Sequence, residues 1–396
     1  MGSFAAAEGV RPLSVPPLGR EISWRDALAI WRVYRLLVRM RPDLVHTHTA
    51  KAGTVGRIAG LLYRWLTPMS LLRRPRRCRF VHTYHGHVFH SYYGPLKTRL
   101  FLAVERLLAR LATDRIVVIS PQQYQEIHET YRVGRAEQFA MIPLGLDLSR
   151  FADWPRRRNR LREELQVDET DVLVGIVGRL TDVKNHRLFL EAAARYKRSC
   201  GLENATRVRF VVIGNGHLRD VLQEQARRLG LADDVKFLGL RDDPEDFYPG
   251  LDIVGLTSLN EGTPLTIIEA MANARPVIAT AVGGVVDLLG EASPHGNNGD
   301  HGVTVCRRGV SVIPNDPSAF CRGLQRLVRD PALRRSLGSS GRIFVEQNHS
   351  KDRLVKDVVR MYDELLYPRL PTHARRAVAC GASGRWSQEE SGPCEC

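Results

Sequence analysis

Short apolar, strand-like runs alternate with segments of helical periodicity along most of this chain, and that alternation restricts it to an α/β fold built on parallel sheets. A first series places strands at 43–47, 80–84 and 115–120, with helices at 25–40, 51–66, 97–112 and 121–131. A second series begins after 142–147, with strands at 172–177, 208–213, 235–238, 251–257 and 276–279. Helices at 185–198, 217–229, 264–273 and 317–330 separate them. Two such series in 396 residues imply two domains, each able to bury a core. The expected divisions are 1–150, 151–348, a helix over 349–370 returning toward the first domain, and a disordered tail over 371–396 that lacks periodicity. The Arg-rich stretch 154–162 reads as the start of a linker helix with a solvated face. A nucleotide-type α/β domain normally opens with a strand and a tight Gly-rich turn. Here residues 9–15 form only a weak strand before the first helix, so the first domain is expected to lack its first βαβ unit.

The charge is uneven. Of a net +15, residues 1–150 carry 23 Lys and Arg against 10 Asp and Glu, so the first domain is expected to face something anionic. Zinc-finger spacing, RNP-like aromatics and a basic region leading into heptads are all missing, which disfavours nucleic acid. Two stretches, 24–40 and 61–79, place Arg beside Trp and Leu in a way that suits an anionic membrane, although an amphipathic core helix with a solvated Arg face reads the same. No apolar run is long enough to span a bilayer, and the first residues do not form a secretory signal. The 7 cysteines are scattered and read as reduced thiols. The expected location is cytoplasmic, peripheral on the inner face of the plasma membrane.

Chemistry concentrates at the ends of the strands in the second series. In Ser258-Leu-Asn-Glu-Gly-Thr-Pro-Leu-Thr-Ile-Ile-Glu-Ala-Met, Thr263 suits a helix N-cap and Pro264 the first helical position. Glu261 then precedes a helix N-terminus and Glu269 lies within the helix, with the free amides of Leu265 and Thr266 between them. That arrangement would hold a ligand bearing both phosphate and sugar hydroxyls. Gly178-Arg179 and Lys184 follow the 172–177 strand, where Gly178 admits a ligand and the two cations can grip a diphosphate. Two solvated loop cations would look alike. Gly214-Asn-Gly216 is a weaker signal, without the third glycine and acid of a dinucleotide site.

Histidines cluster at 82, 85, 87 and 90. Alternation along an extended segment sends neighbouring rings to opposite faces, which disfavours a metal. A His donating to a substrate oxygen fits better, with Gly86 allowing close approach. His46 and His48 end another strand, and Lys51 with the following helix amides can meet a phosphate.

Gly178-Arg179…Lys184-Asn, Gly214-Asn-Gly216 and Glu261-x7-Glu269, followed by Ala270-Met-Ala and Arg275-Pro-Val-Ile-Ala-Thr-Ala-Val-Gly-Gly284, closely resemble the family 4 glycosyltransferases. The segments His46-Thr-His-Thr-Ala-Lys-Ala-Gly53 and 82–89 resemble the N-terminal domain of members that build bacterial polysaccharides and lipid-linked glycans. The resemblance implies a GT-B fold, with two Rossmann-like domains facing a cleft, and retaining transfer from a nucleotide-sugar, UDP-linked, to a lipid-linked or polysaccharide acceptor. No metal and no cofactor are implied. Arg179 and Lys184 would stabilise the departing diphosphate, Glu269 would take the ribose hydroxyls, and Glu261 would take hydroxyls of the transferred sugar. His85 would contact that sugar, residues from Leu238 to Arg241 would edge the base, and His48, Lys51 and Gly53 would stand on the acceptor side. Pro264 departs from the Gly found in many members. Two other readings stay open: a nucleotide-sugar binder without catalysis, and a nucleotide-sugar epimerase of the same fold.

Overall fold

The computed structural model describes residues 9–10, 12–16, 18, 24–67, 77–85, 95–199, 207–293 and 301–368. The chain forms two compact units: one from Met1–Ile119, Tyr124–Ile142 and Val355–Cys396, the other from Ser120–Gln123 and Pro143–Leu354. The main division therefore falls before residue 150, and most of the last helix belongs with the first unit.

In the first unit, β1 (Leu44–His48), β2 (Arg79–Thr83), β3 (Arg115–Val118) and β4 (Phe139–Met141) form a four-stranded parallel sheet in sequential order. Parallel neighbours need crossover connections, and α2 (Ala50–Trp65) and α3 (Pro95–Leu111) supply two of them, with α1 (Arg25–Met40) leading into the sheet. Leu37 of α1, Ala59 and Tyr63 of α2, and Phe80 of β2 share one apolar cluster, while Ile116, Val118 and Ile127 centre another. A buried ion pair ties α2 to α3. Arg57 Nη2 donates to both oxygens of Glu105 at 2.7 Å, and Tyr84 Oη and Thr54 Oγ1 complete the carboxylate's shell at 2.5 and 3.1 Å.

Two expectations fail here. Residues 9–10 and 12–15 form no strand, as Pro12 and Pro16 remove ladder donors from a segment without a sheet partner. The helix expected over 121–131 is an α turn, Pro121–Tyr124, that widens into a π-helix, Gln125–Thr130.

The second unit holds a seven-stranded sheet in the order β10-β11-β9-β8-β5-β6-β7. Its strands are β5 (Val172–Val177), β6 (Val208–Ile213), β7 (Val235–Gly239), β8 (Ile253–Leu256), β9 (Val277–Thr280), β10 (Val303–Val305) and β11 (Val310–Val312). All pairs are parallel except β10 with β11. That hairpin escapes sequence reading because each strand has only three residues around Cys306-Arg-Arg-Gly309. The interior strands are buried on both faces, as a parallel sheet covered by helices requires.

Its longer helices are α4 (Arg158–Leu165), α5 (His186–Ser199), α6 (Arg219–Arg228), α7 (Leu265–Ala272), α8 (Val285–Leu289), α9 (Pro317–Arg329) and α10 (Pro331–Asn348), followed by α11 (Lys351–Leu366), most of which belongs to the first unit. The Arg-rich start of α4 is not a solvated linker. Arg157 and Arg160 both pair with Asp246, Arg158 and Arg162 both pair with Asp252, and Arg162 is buried. The tail over 371–396 lies outside the described residues. Among those described, no helix is long and apolar enough to cross a membrane.

Candidate functional site

The strand order of the second sheet reverses at β5, since β6 and β7 lie on one side of it and β8 and β9 on the other. Open α/β sheets bind ligands beyond the carboxyl ends of their strands at such a switch point. The loops after β5 and β8 meet there. Leu259 N donates to Val183 O at 2.8 Å, and the buried Thr257 hydroxyl lies 3.1 Å from Lys184 O and 2.9 Å from Asn185 O. These bonds pin the turn carrying Lys184, which ends with Asn185 in the left-handed region at φ 46°.

Lys184 Nζ donates to Glu261 Oε1, and Ser258 Oγ donates to the same oxygen at 2.6 Å. Lys184, Ser258 and Glu261 therefore form one partly buried constellation. Arg179 is exposed beside it and makes no ion pair among the described residues. Gly214 lets the loops after β5 and β6 approach closely, for a Cβ there would stand 1.9 Å from Gly178 O. Gly216 is equally constrained, with Leu180 O at 2.3 Å from its Cβ position.

α7 starts at Leu265, not at Pro264, and Pro264 occupies the cap position in extended conformation. Thr263 is not the N-cap: its hydroxyl is buried and makes no hydrogen bond. With φ −73° and ψ 116°, Pro264 holds the chain extended into the helix, so the opening amides of α7 have no side-chain cap. Leu265 at the first position is exposed, and Thr266 Oγ1 reaches back to Val177 O at 3.4 Å, joining α7 to the end of β5.

Glu269 lies about one turn further along. Tyr248, fully buried, donates its hydroxyl to Glu269 Oε2 at 2.9 Å. Burial raises the Glu269 carboxyl above its ordinary range, opposed by the Tyr248 hydrogen bond and by Arg150. Nothing in the sequence pointed to Tyr248, which reaches Glu269 from a short 3-10 helix, or singled out Ser258, which meets Glu261 within the same loop three residues away.

The Arg241 guanidinium is gripped by Asp243 at 2.5 Å and Glu164 at 2.7 Å, an internal clamp that raises its pKa. Leu238 is half-buried against the second-unit core, and the neighbouring Leu240 is exposed.

In the first unit, three imidazoles meet at the carboxyl ends of β1 and β2. His48 Nδ1 and His85 Nε2 share a hydrogen bond of 2.8 Å, and the His46 ring lies 4.3 Å from that of His48. His46 also contacts Tyr362 Oη and Thr83 Oγ1, each at 2.6 Å. Burial, with mutual repulsion, lowers His46 to about 4 and lowers His48, while burial alone lowers His85, so all three are neutral at pH 7. His82 faces away from them. It is buried against Thr47 Oγ1 at 2.9 Å and is held to about 2, first by burial and then by Arg57. Gly53 accommodates that ring, since a Cβ there would stand 2.2 Å from His82 Cε1. Lys51 pairs with Asp26 at 2.8 Å. Gly86, His87 and His90 lie outside the described residues. Among those described, no group of three His, Cys, Asp or Glu is placed to hold a metal ion.

Two family models match the chain: that described as Glycosyl transferases group 1 over residues 157–344, and Glycosyltransferase Family 4 over residues 2–150. An Escherichia coli UDP-Gal:alpha-D-GlcNAc-diphosphoundecaprenol alpha-1,3-galactosyltransferase is 29% identical over 82% of this chain and 77% of its own length. A D-inositol 3-phosphate glycosyltransferase of Salinispora arenicola is 28% identical over 81% of this chain and 68% of its own. Among solved structures, Anabaena HepE in complex with UDP aligns over 90% of this chain and 82% of its own, with TM-score 0.66 and 23% identity.

Proposed function

The chain belongs to the family 4 glycosyltransferases of the GT-B fold, and from that premise we propose that it moves a sugar from a UDP-linked donor to a lipid-linked or polysaccharide acceptor with retention of configuration. The observation that carries this reading is the meeting of Lys184, Ser258, Glu261 and the start of α7 at the switch point of the second sheet. The printed names of the relatives support it: the E. coli enzyme uses UDP-Gal and a diphosphoundecaprenol-borne acceptor, and HepE binds UDP.

On this reading the diphosphate lies across the α7 amides, Arg179 and Lys184. Negative charge grows on the leaving diphosphate as the sugar C1–O bond breaks, and fixed cations with a helix N-terminus stabilise it in place of a metal ion. Without donor, Lys184 is neutralised by Glu261. A bound diphosphate competes for that ammonium and frees a Glu261 oxygen, still oriented by Ser258, to accept from sugar hydroxyls. Glu269, with one oxygen held by Tyr248, offers the other to the ribose. The acceptor hydroxyl bonds to C1 on the face the nucleotide leaves, and its proton passes to the departing phosphate oxygen. The protein works at the inner face of the plasma membrane, where lipid-linked acceptors are found.

Incubating the purified chain with a panel of UDP-sugars and a membrane lipid extract tests the proposal. UDP release together with sugar incorporation into lipid is expected. Binding without release would instead mark a nucleotide-sugar binder, and an altered sugar still attached to UDP would mark an epimerase.

A further inference from the structure

We propose that His48 and His85 form one coupled pair, in which His48 is a positioning residue that fixes the ring state of His85, and that the pair binds sugar hydroxyls. The choice of a sugar as ligand rests on the transferase reading; the coupling of the two rings does not. The imidazoles at the ends of β1 and β2 differ in what they have left to offer. Both nitrogens of His46 are engaged, Nδ1 with Tyr362 Oη and Nε2 with Thr83 Oγ1, each at 2.6 Å. His48 and His85 each use one nitrogen on their mutual bond, Nδ1 to Nε2 at 2.8 Å. Their outer nitrogens, Nε2 of His48 and Nδ1 of His85, make no hydrogen bond among the described residues, and both side chains are exposed. A packing role does not account for an exposed pair.

Proton counting decides the ligand. Partial burial keeps both rings uncharged at neutral pH, so each carries one N–H and one lone pair. One of the two protons lies in the shared bond, and the other then sits on an outer nitrogen. Whichever ring donates, the pair presents one outer donor and one outer acceptor. Shifting both protons along exchanges the two roles and creates no charge. Hydroxyls can both donate and accept, so they match either arrangement. A phosphate oxygen only accepts and an ammonium only donates, and each would leave one nitrogen unmatched. The outer nitrogens lie on either side of the shared bond, so they meet two hydroxyls, which a sugar ring supplies on successive carbons.

The backbone holds His48 in place at a cost. Thr49, the next residue, has φ 65° and ψ 161°, a conformation almost confined to glycine, although its side chain is β-branched. Such strain persists only where the surrounding structure enforces it. Here it falls between His48 and the first turn of α2, which closes with Gly53 N donating to Thr49 O at 2.9 Å. The His46 ring packs against His48 at 4.3 Å, and the rings of His48 and His85 lie 25° from parallel at 5.0 Å. His48 is braced by its neighbours and its Nε2 stays open.

An asparagine amide places its nitrogen near the position of a histidine Nδ1, whereas a glutamine amide reaches toward Nε2. His48 bonds through Nδ1, so at position 48 Asn should substitute and Gln should not. The full chain with isotope-labelled histidine is followed by NMR. In wild type the His85 ring nitrogens should report a hydrogen-bonded Nε2, and His48→Phe should return them to the pattern of a solvated imidazole. A panel of UDP-sugars should move these signals, with UDP alone as the control. A shift with UDP-sugar assigns the hydroxyls to the donor's sugar, and a shift that also needs membrane lipid extract assigns them to the acceptor. In UDP-release assays His48→Phe should lower kcat/KM by about ten-fold, with UDP affinity unchanged. His48→Asn should recover to within about three-fold of wild type and His48→Gln should stay low. Equal activity of the Asn and Gln variants, full activity of His48→Phe, or ring signals that no sugar moves would overturn the pair. Absence of UDP binding in wild type would remove the donor reading, whereas UDP binding with unmoved histidine signals would count against the pair alone.

Discussion

Glu269 has one carboxylate oxygen on the buried Tyr248 hydroxyl, and this bond orients it and opposes the burial that raises its pKa. Hydrogen bonds to a charged group are worth about 1.5–3 kcal/mol, so Glu269→Ala should weaken UDP binding by about ten- to a hundred-fold in titration calorimetry. An unchanged affinity would sink the ribose assignment. Tyr248→Phe is more discriminating. Burial raises the Glu269 pKa and the Tyr248 hydroxyl holds it down, so losing that hydroxyl raises it further. The carboxylate must be ionised to accept from two ribose hydroxyls. UDP affinity in the Phe variant should therefore decline at a higher pH than in wild type as the buffer is made more acidic. A profile that is merely lower and keeps its midpoint would reduce Tyr248 to packing. At this scale the candidate donor site was mostly legible: Arg179, Lys184, Glu261 and Glu269 follow strand ends or open a helix, and those positions depend on local chain order. Tyr248 was not legible, because a partner reached from another element leaves no local spacing, and Ser258, though local to Glu261, looked like any loop serine.

Among the elements, the α2–α3 contact depends on an ion pair in which Arg57 and Glu105 are both fully buried. Removing one partner strands a charge in a low-dielectric interior. Glu105→Ala should destabilise the first unit by about 3–5 kcal/mol in urea unfolding, whereas an exposed pair such as Arg228–Glu224 should contribute less than about 1 kcal/mol. Equal effects at the two sites would contradict the burial argument. Most strands and helices were readable from apolar periodicity, usually within a residue or two of their ends, but β4, α8 and the 18-residue α10 were not read. Other exceptions have physical causes. The β10–β11 hairpin is too short to show a period, the π-helical turn over Gln125–Thr130 has no sequence signature, and α7 begins after an extended Pro264 instead of at a Thr263 cap. The Arg-rich start of α4 looked solvated because the acids that neutralise it, Asp246 and Asp252, lie far along the chain.

Across the whole molecule, buried neutral histidines make stability depend on acidity. His82 falls from 6.5 to about 2 and His186 from 6.5 to about 4, each mainly through burial. Their folded pKa values lie below the unfolded ones, so their full contribution is present above pH 6.5 and is lost as pH falls toward the folded values. His82 alone removes about 1.4 kcal/mol for each pH unit below that point. The urea midpoint of the full chain should therefore drop between pH 7.5 and pH 5.5 (roughly the first unit of that window), and His82→Asn should flatten the slope even where it lowers stability overall. A slope unchanged in the variant would contradict the assignment.

By itself the sequence determined that the chain is α/β with two sheet-forming halves, that positive charge gathers in the first, and that cations and carboxylates stand at the strand ends of the second. Each depends on local order and composition, and local order suffices to specify secondary-structure type and which residues end a strand. Only the tertiary structure decided which of those groups are engaged. It clamped Arg241 to Glu164 and Lys51 to Asp26, packed Gly53 against His82, set Lys184 on one oxygen of Glu261, and left the α1 arginines without an ion pair among the described residues. An ion pair or a steric fit is a relation between residues distant in sequence, and it exists only once the fold has brought them together.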